Sequence, residues 1–238
     1  MEAFTGPAEP AGPAGAAGGR DAMQVSGRRD GEPPTPEQIE EWQRLMQPPE
    51  NELPAGVGVT AVLGRTDDAA VGITQVEAFS GGFRFTLAVR LRTPVPDHPG
   101  GLFHLVNTHP HPASQVAVEE RLLFGIEYAD GRRASTLDHR DPWASRPLVL
   151  MQQGGGGGDT SVDQGYWVAP LPPEGPVTFV LSWPRFGIAE ARAEVDGGLI
   201  RDAAGRSEVL WPPPPRAEAV EPPPPPRPAT GWFAEPSG

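Results

Sequence analysis

Four of the five histidines in this 238-residue chain, His98, His104, His109 and His111, fall within one short stretch. Neutral imidazoles are common metal ligands, so the crowding raises the question of a His-only zinc or nickel site. The spacing argues against one. Residues two apart share a face in a strand, but Pro110 and Pro112 push this stretch towards three residues per turn, which splays His109 and His111 apart. The stretch reads as a solvated, proline-stiffened loop, and neither a metal nor any other cofactor is expected.

A glycine run, Gly154 to Gly158, is the second candidate, because glycine-rich turns bring backbone N–H groups up to phosphate. Its context is wrong for that. No lysine follows; Asp159 and Thr160 come next, and then a strand pattern containing Tyr166 and Trp167 instead of a helix. The run reads as a mobile connection between two strands.

Carboxylates and hydroxyls give no constellation either. Strand alternation sends Glu190 and Glu194 to the side away from Ala189, Ala191, Ala193 and Val195, hence towards water, and Glu127 and Asp196 read as part of the same kind of solvated surface. Asp138-His139-Arg140-Asp141 sets an acid beside a histidine, but no serine lies in a nucleophile-elbow pattern, so the segment reads as a surface turn. All nineteen basic residues are arginine, which removes Schiff-base chemistry and a phosphate-loop lysine; with no cysteine there is no thiolate nucleophile and no disulfide. No catalytic residue is assigned, and an enzyme is the less favoured reading.

What remains are aromatics beside segments poor in core-forming residues. Trp42 and Met46 lie on a short amphipathic helix, and Trp232 and Phe233 lie in a proline-rich C-terminal stretch; these four are the speculative partner contacts. Trp42 is expected to pack mainly on its own chain, and Trp211 reads as core.

The elements that would position these residues follow from pattern. Residues 1–34, rich in Ala, Gly and Pro and without periodicity, read as a disordered tail. A short helix and linker over 35–50 follows: Thr35 caps it, Pro36 suits its first position, Gln38 completes a capping box, Ile39, Trp42, Leu45 and Met46 share one side, and Pro48-Pro49 stops it. Over 51–211 the period becomes two. Phe83, Phe85, Leu87, Val89 and Leu91 alternate with Arg84, Thr86, Ala88 and Arg90, and shorter stretches of the same kind occupy 57–63, 71–79, 121–129, 133–138, 148–152, 162–169, 177–183 and 189–195. Asp130-Gly131 reads as a type I′ hairpin turn, Leu171 to Pro176 as another turn, and Pro184 as the end of a strand. After Asp196-Gly197-Gly198 a terminal helix is expected, with Leu199, Ile200, Ala203, Ala204, Ser207 and Leu210 on one side. Residues 212–238, with Pro212 to Pro215 and Pro222 to Pro226, read as a disordered, extended proline-rich tail. Short strands between Gly/Pro turns, with no alternating helices, give a mainly β protein: an antiparallel β-sandwich, or alternatively a β-barrel-like closure, with a helix at each end and disordered tails.

The segments Leu171-Pro172-Pro173-Glu174-Gly175-Pro176, Thr178-Phe179-Val180, Trp183-Pro184, Glu194-Val195-Asp196-Gly197 and Leu210-Trp211-Pro212, with the glycine run and the strand before it, resemble an uncharacterised actinobacterial protein family. The likeness covers about residues 55 to 212 and neither tail. It implies a bacterial protein with a small β-sandwich-like core and no known activity.

A net charge of -12 disfavours phosphate backbones and anionic lipid, so no nucleic-acid or membrane partner is expected. Met1 to Arg20 has no secretory-leader pattern and no apolar run reaches membrane length, which makes a cytoplasmic location the default. The functional expectation is a non-enzymatic binding or scaffolding module that reaches a protein partner through its tails or first helix. The alternative is a small-molecule-binding or hydrolytic β protein with a site built from loops such as Pro94 to Ser114. Oligomeric state is left open.

Overall fold

The computed structural model describes residue 35, residue 42 and residues 45–95, 101–107, 116–138 and 148–212, all within the unit that starts at Thr35. The tails expected over 1–34 and from 213 onward, and the capping residues Pro36 and Gln38, lie outside the described residues.

The longest alternating run becomes a strand where it was expected to, whereas the stretches expected over 57–63 and 133–138 are strand only at Ala61–Arg65 and Arg133–Ser135. Phe83 to Leu91 falls in β5 (Gly82–Leu91), in which Phe83, Phe85, Leu87, Val89 and Leu91 are buried while Arg84 and Arg90 face water. It forms a hairpin with β4 (Ala69–Phe79) and pairs on its other side with β9 (Ser161–Ala169), whose outer neighbour is β8 (Val149–Gly157). Two short strands share the remaining edge of β4: β2 (Ala55–Gly56) pairs with Ala78 and Glu77, and β3 (Ala61–Arg65) with the stretch from Ala70 to Ile73. Between them Gln75 takes a positive φ of 51°, where the register with β5 shifts; this bulge lets one strand serve two partners. The second sheet has the order β11 (Ile188–Asp196), β10 (Pro176–Trp183), β6 (Leu123–Tyr128), β7 (Arg133–Ser135). A two-stranded ribbon of β1 (Glu52–Leu53) and β12 (Glu208–Val209) completes the strands, all pairing antiparallel.

The two larger sheets face each other across one core and do not close into a barrel, so the sandwich reading holds and the barrel-like alternative does not. Four rings from four strands meet at its centre: Phe85 of β5 stacks on Tyr166 of β9 at 5.5 Å and meets Phe179 of β10 edge-on at 5.3 Å, while Phe124 of β6 lies 5.3 Å from Tyr166. Rings at these separations attract beyond the area they bury, by about 0.5–1.5 kcal/mol a pair. Tyr128 of β6 is buried and donates through its hydroxyl to the Pro170 carbonyl at 2.7 Å. Desolvation pushes its phenol well above the usual tyrosine range, with the Arg132 charge working against that.

Two helices join the core. A one-and-a-half-turn helix α1 (Gly101–Val106) buries Leu102, Leu105 and Val106. Helix α2 (Gly197–Ala204) buries Ile200, Ala203 and Ala204, and its cap Asp196 accepts a hydrogen bond from the Gly198 N–H at 2.8 Å.

Four sequence expectations are corrected. The terminal helix stops at Ala204; Gly205 to Ser207 turn, and Glu208 enters β12, so Ser207 and Leu210 never share the helical face and Leu199 is exposed. Trp211 follows the ribbon instead of a core helix and is 57% exposed. The Asp130-Gly131 turn is not type I′: only Gly131 has positive φ, at 84°, and the Tyr128 carbonyl accepts from the Gly131 N–H at 2.9 Å while Arg132 pairs back to Tyr128. That is a three-residue loop with a glycine bulge, which one left-handed residue suffices to build.

The fourth concerns the glycine run, which is strand and not a mobile connection. Gly154 to Gly157 form the second half of β8, pairing with β9 past a bulge between Gln152 and Gly155. Its backbone passes so close to β9 that a side chain at Gly157 would run into the Ser161 carbonyl and one at Gly155 into Gln164, whereas Gly154, Gly156 and Gly158 face open space. Gln164 points into the core and stays satisfied there by donating to the Gln153 carbonyl at 2.6 Å, filling the gap that the bulge opens.

Candidate functional site

The sandwich buries aromatics on one face of each sheet, but β9 breaks the rule. Val162, Gln164, Tyr166 and Val168 point inward, and Trp167 between the last two points outward, yet is as buried as any residue of the core. A row of direct cross-strand neighbours explains its setting: Glu77 of β4, Arg84 of β5, Trp167 of β9 and Met151 of β8.

The indole lies over Gly82, where any Cβ would come within 2.7 Å of its six-membered ring. Phe79 meets it edge-on at 5.6 Å, and Ala169 and Met151 complete a small apolar cluster separate from the main core. The Arg84 guanidinium covers the Phe79 ring at 5.3 Å and is braced by Glu77 at 2.6 Å. The fourth side of the seat comes from the other end of the sequence. Leu45 packs against the cluster, and its carbonyl accepts the Trp167 indole N–H at 2.9 Å. Trp42, Leu45 and Met46 are helical there, and the helix stops before Pro48. Its last carbonyls have no partner within the helix, so a donor aimed at one of them satisfies both groups at once.

The sequence-level contacts separate accordingly. Trp42 and Met46 are half-buried, and the residue between them in chain order, Leu45, carries the described packing. Trp232 and Phe233 lie outside the described residues. Trp167 was missed because alternation marks which side chains share a face and not which face another element will cover.

A second apolar exposure lies at the ribbon. Leu210 donates its N–H to the Asn51 carbonyl at 2.9 Å and the Asn51 amide donates to the Trp211 carbonyl at 2.7 Å, so the chain is held in place up to Trp211. Yet Val209, Leu210 and Trp211 expose 58, 41 and 57% of their surfaces, and Leu53 on the paired strand 52%. Glu52 beside them turns inward instead, its carboxylate accepting from the N–H and hydroxyl of Ser80 in the β4–β5 turn, the latter at 2.7 Å.

Of the four clustered histidines only His104 is described, and it corrects the reading of this stretch as a solvated loop: it is exposed on helix α1, whose Leu102, Leu105 and Val106 are buried, while His98, His109 and His111 lie outside the described residues. The Gln152 amide donates to the Asn107 side chain at 3.0 Å, tying the segment after α1 to β8. Among the described residues no three His, Asp or Glu side chains gather as a metal would require. Asp138 accepts the Ser135 N–H at 2.6 Å, a turn-forming role. Glu190 and Glu194 are exposed, and Glu127 and Glu190 both pair with Arg192 on the outer face of the four-stranded sheet. No helix among the described residues is long and apolar enough to cross a membrane. No family model, curated protein or solved structure matches this chain.

Proposed function

We propose that this chain is a non-enzymatic binding or scaffolding module of the bacterial cytoplasm, with the sandwich as a rigid support for contacts to a protein partner. The observation that carries the reading is the run Val209-Leu210-Trp211: three consecutive large apolar side chains, 58, 41 and 57% exposed, where the chain enters its proline-rich end. Single exposed apolar residues are ordinary, but a run containing a tryptophan, fixed on hydrogen-bonded backbone, is how contact surfaces are built. Trp232 and Phe233, about twenty residues further along the sequence, are a second pair of large apolar side chains in the same proline-rich stretch. A net charge of -12 supports a protein partner over nucleic acid.

The test uses full-length chain as bait. Wild type, Trp211→Ala and the double variant Trp232→Ala/Phe233→Ala are compared for partners retained from the native cell, with circular dichroism to verify the fold. A partner held by wild type and lost from either variant supports the reading; the same set from all three, or none from any, overturns it.

A further inference from the structure

We infer that the outer face of the six-stranded sheet around Trp167 is a docking site for an apolar helical turn, which the chain's own turn carrying Leu45 and Met46 occupies as a detachable strap.

The two halves of the inference rest on different observations. The seat is specific. Its floor is Gly82, its walls are Phe79, Ala169 and Met151, and its polar contact is the single indole N–H of Trp167, answered by the Leu45 carbonyl at 2.9 Å. A donor at the centre of an apolar patch selects an occupant that brings both an apolar side chain and a carbonyl with no partner of its own. The last turn of a helix brings both, since its final carbonyls have no intrahelical donor. Trp42, Leu45 and Met46, three and four residues apart in helical backbone, are such a turn.

The attachment is light. The Trp167 cluster is separate from the core between the sheets, so nothing in the aromatic centre at Phe85 depends on Leu45. Pro48-Pro49 divides the helical residues from β1, so no helix or strand hydrogen bonding continues through them. The anchor of the chain after this hinge is independent of the strap, because Glu52 is held by Ser80. A single helical turn is not stable in water without its docking surface, so release and unwinding go together. The strap therefore opens as a unit while the sandwich stays folded, and the uncovered seat accepts the same helix in trans.

The experiment has two arms on the full-length chain. In the first, native-state amide exchange is followed on wild type: the amides of residues 42–47 exchange about tenfold or more faster than those of Phe85 and Tyr166, through an opening that mild urea scarcely changes. Equal protection of strap and sheet would overturn the inference. In the second arm Leu45→Asp releases the strap, and a labelled synthetic peptide with the sequence of residues 34–49 is titrated against it. Saturable binding to the Leu45→Asp chain, weak or no binding to wild type, and a loss of roughly two- to tenfold in affinity when Trp167→Phe removes the indole donor are expected, the last being the share of one neutral hydrogen bond. A Leu45→Asp chain that keeps its near-ultraviolet dichroism but takes up no peptide would overturn the docking site. One that unfolds would overturn the strap, since a detachable element cannot carry the fold.

Discussion

The core between the sheets and the cluster around Trp167 are built from the same residue types and bury their aromatics equally well, but they are closed by different means. Phe85, Tyr166, Phe124 and Phe179 come from four strands of two sheets, so every ring is held by backbone that is itself hydrogen-bonded on both sides or paired in a hairpin. Trp167 is covered by one short helical segment through one packed leucine and one hydrogen bond. Burial of a ring, then, does not measure how firmly it is buried; that depends on whether the covering element could leave without breaking a sheet.

The largest expected effect tests the inner region. Phe85→Ala removes the ring that touches the other three and should cost about 3–5 kcal/mol in urea denaturation, near the whole stability of many domains. A loss under about 1 kcal/mol would mean that the sheets are not held by this contact. Gly82→Ala probes the seam between the regions, because the added methyl would press on the Val168 carbonyl on one side and come within 2.7 Å of the indole on the other. Overpacking of this kind costs about 1–3 kcal/mol, read as a lower thermal midpoint. Gly157→Ala should behave similarly, since its methyl would meet the β9 backbone, while Gly156→Ala, facing open space, should be close to neutral; equal effects at the two positions would contradict the strand geometry of β8.

At the outer cluster, Leu45→Ala should cost only about 1 kcal/mol, because this leucine is only partly buried and its loss leaves the sandwich intact. An effect as large as that of Phe85→Ala would erase the distinction between the regions. An effect of similar size at Tyr128 has a pH signature. Burial raises the Tyr128 phenol above its unfolded value of about 10, so above that pH the unfolded chain releases a proton that the folded chain keeps, and stability falls as pH rises. Tyr128→Phe should lose about 1 kcal/mol at neutral pH with its bond to the Pro170 carbonyl, and should show a shallower decline in alkaline denaturation series.

Much of the inner region was legible in the sequence. The alternation from Phe83 to Leu91 and the proline that ends β10 are local signals, and local backbone geometry obeys them, whereas the turn expected at Asp196-Gly197-Gly198 is absent: β11 ends at Asp196 and α2 begins at Gly197. The glycine run was misread because glycine has no side chain to alternate, and its function as strand lies in what a side chain would strike on β9. Trp211 was misread because a helical pattern does not contain its own end; once Gly205 and Arg206 turn the chain into β12, the phase that made Leu210 and Trp211 core no longer applies. Gln164 was invisible for the reverse reason: a polar residue on an inward face is explained only by the bulge opposite it.

By itself the sequence determined the strand class and the inward set of apolar residues, because these depend on dihedral preference and on a period of two along one segment. Which outward face is covered, by what, and how firmly was decided by tertiary structure alone. Leu45 and Trp167 are 122 residues apart, and no local rule connects a carbonyl at the end of one helix with an indole on the far side of a sheet until the chain has brought them together.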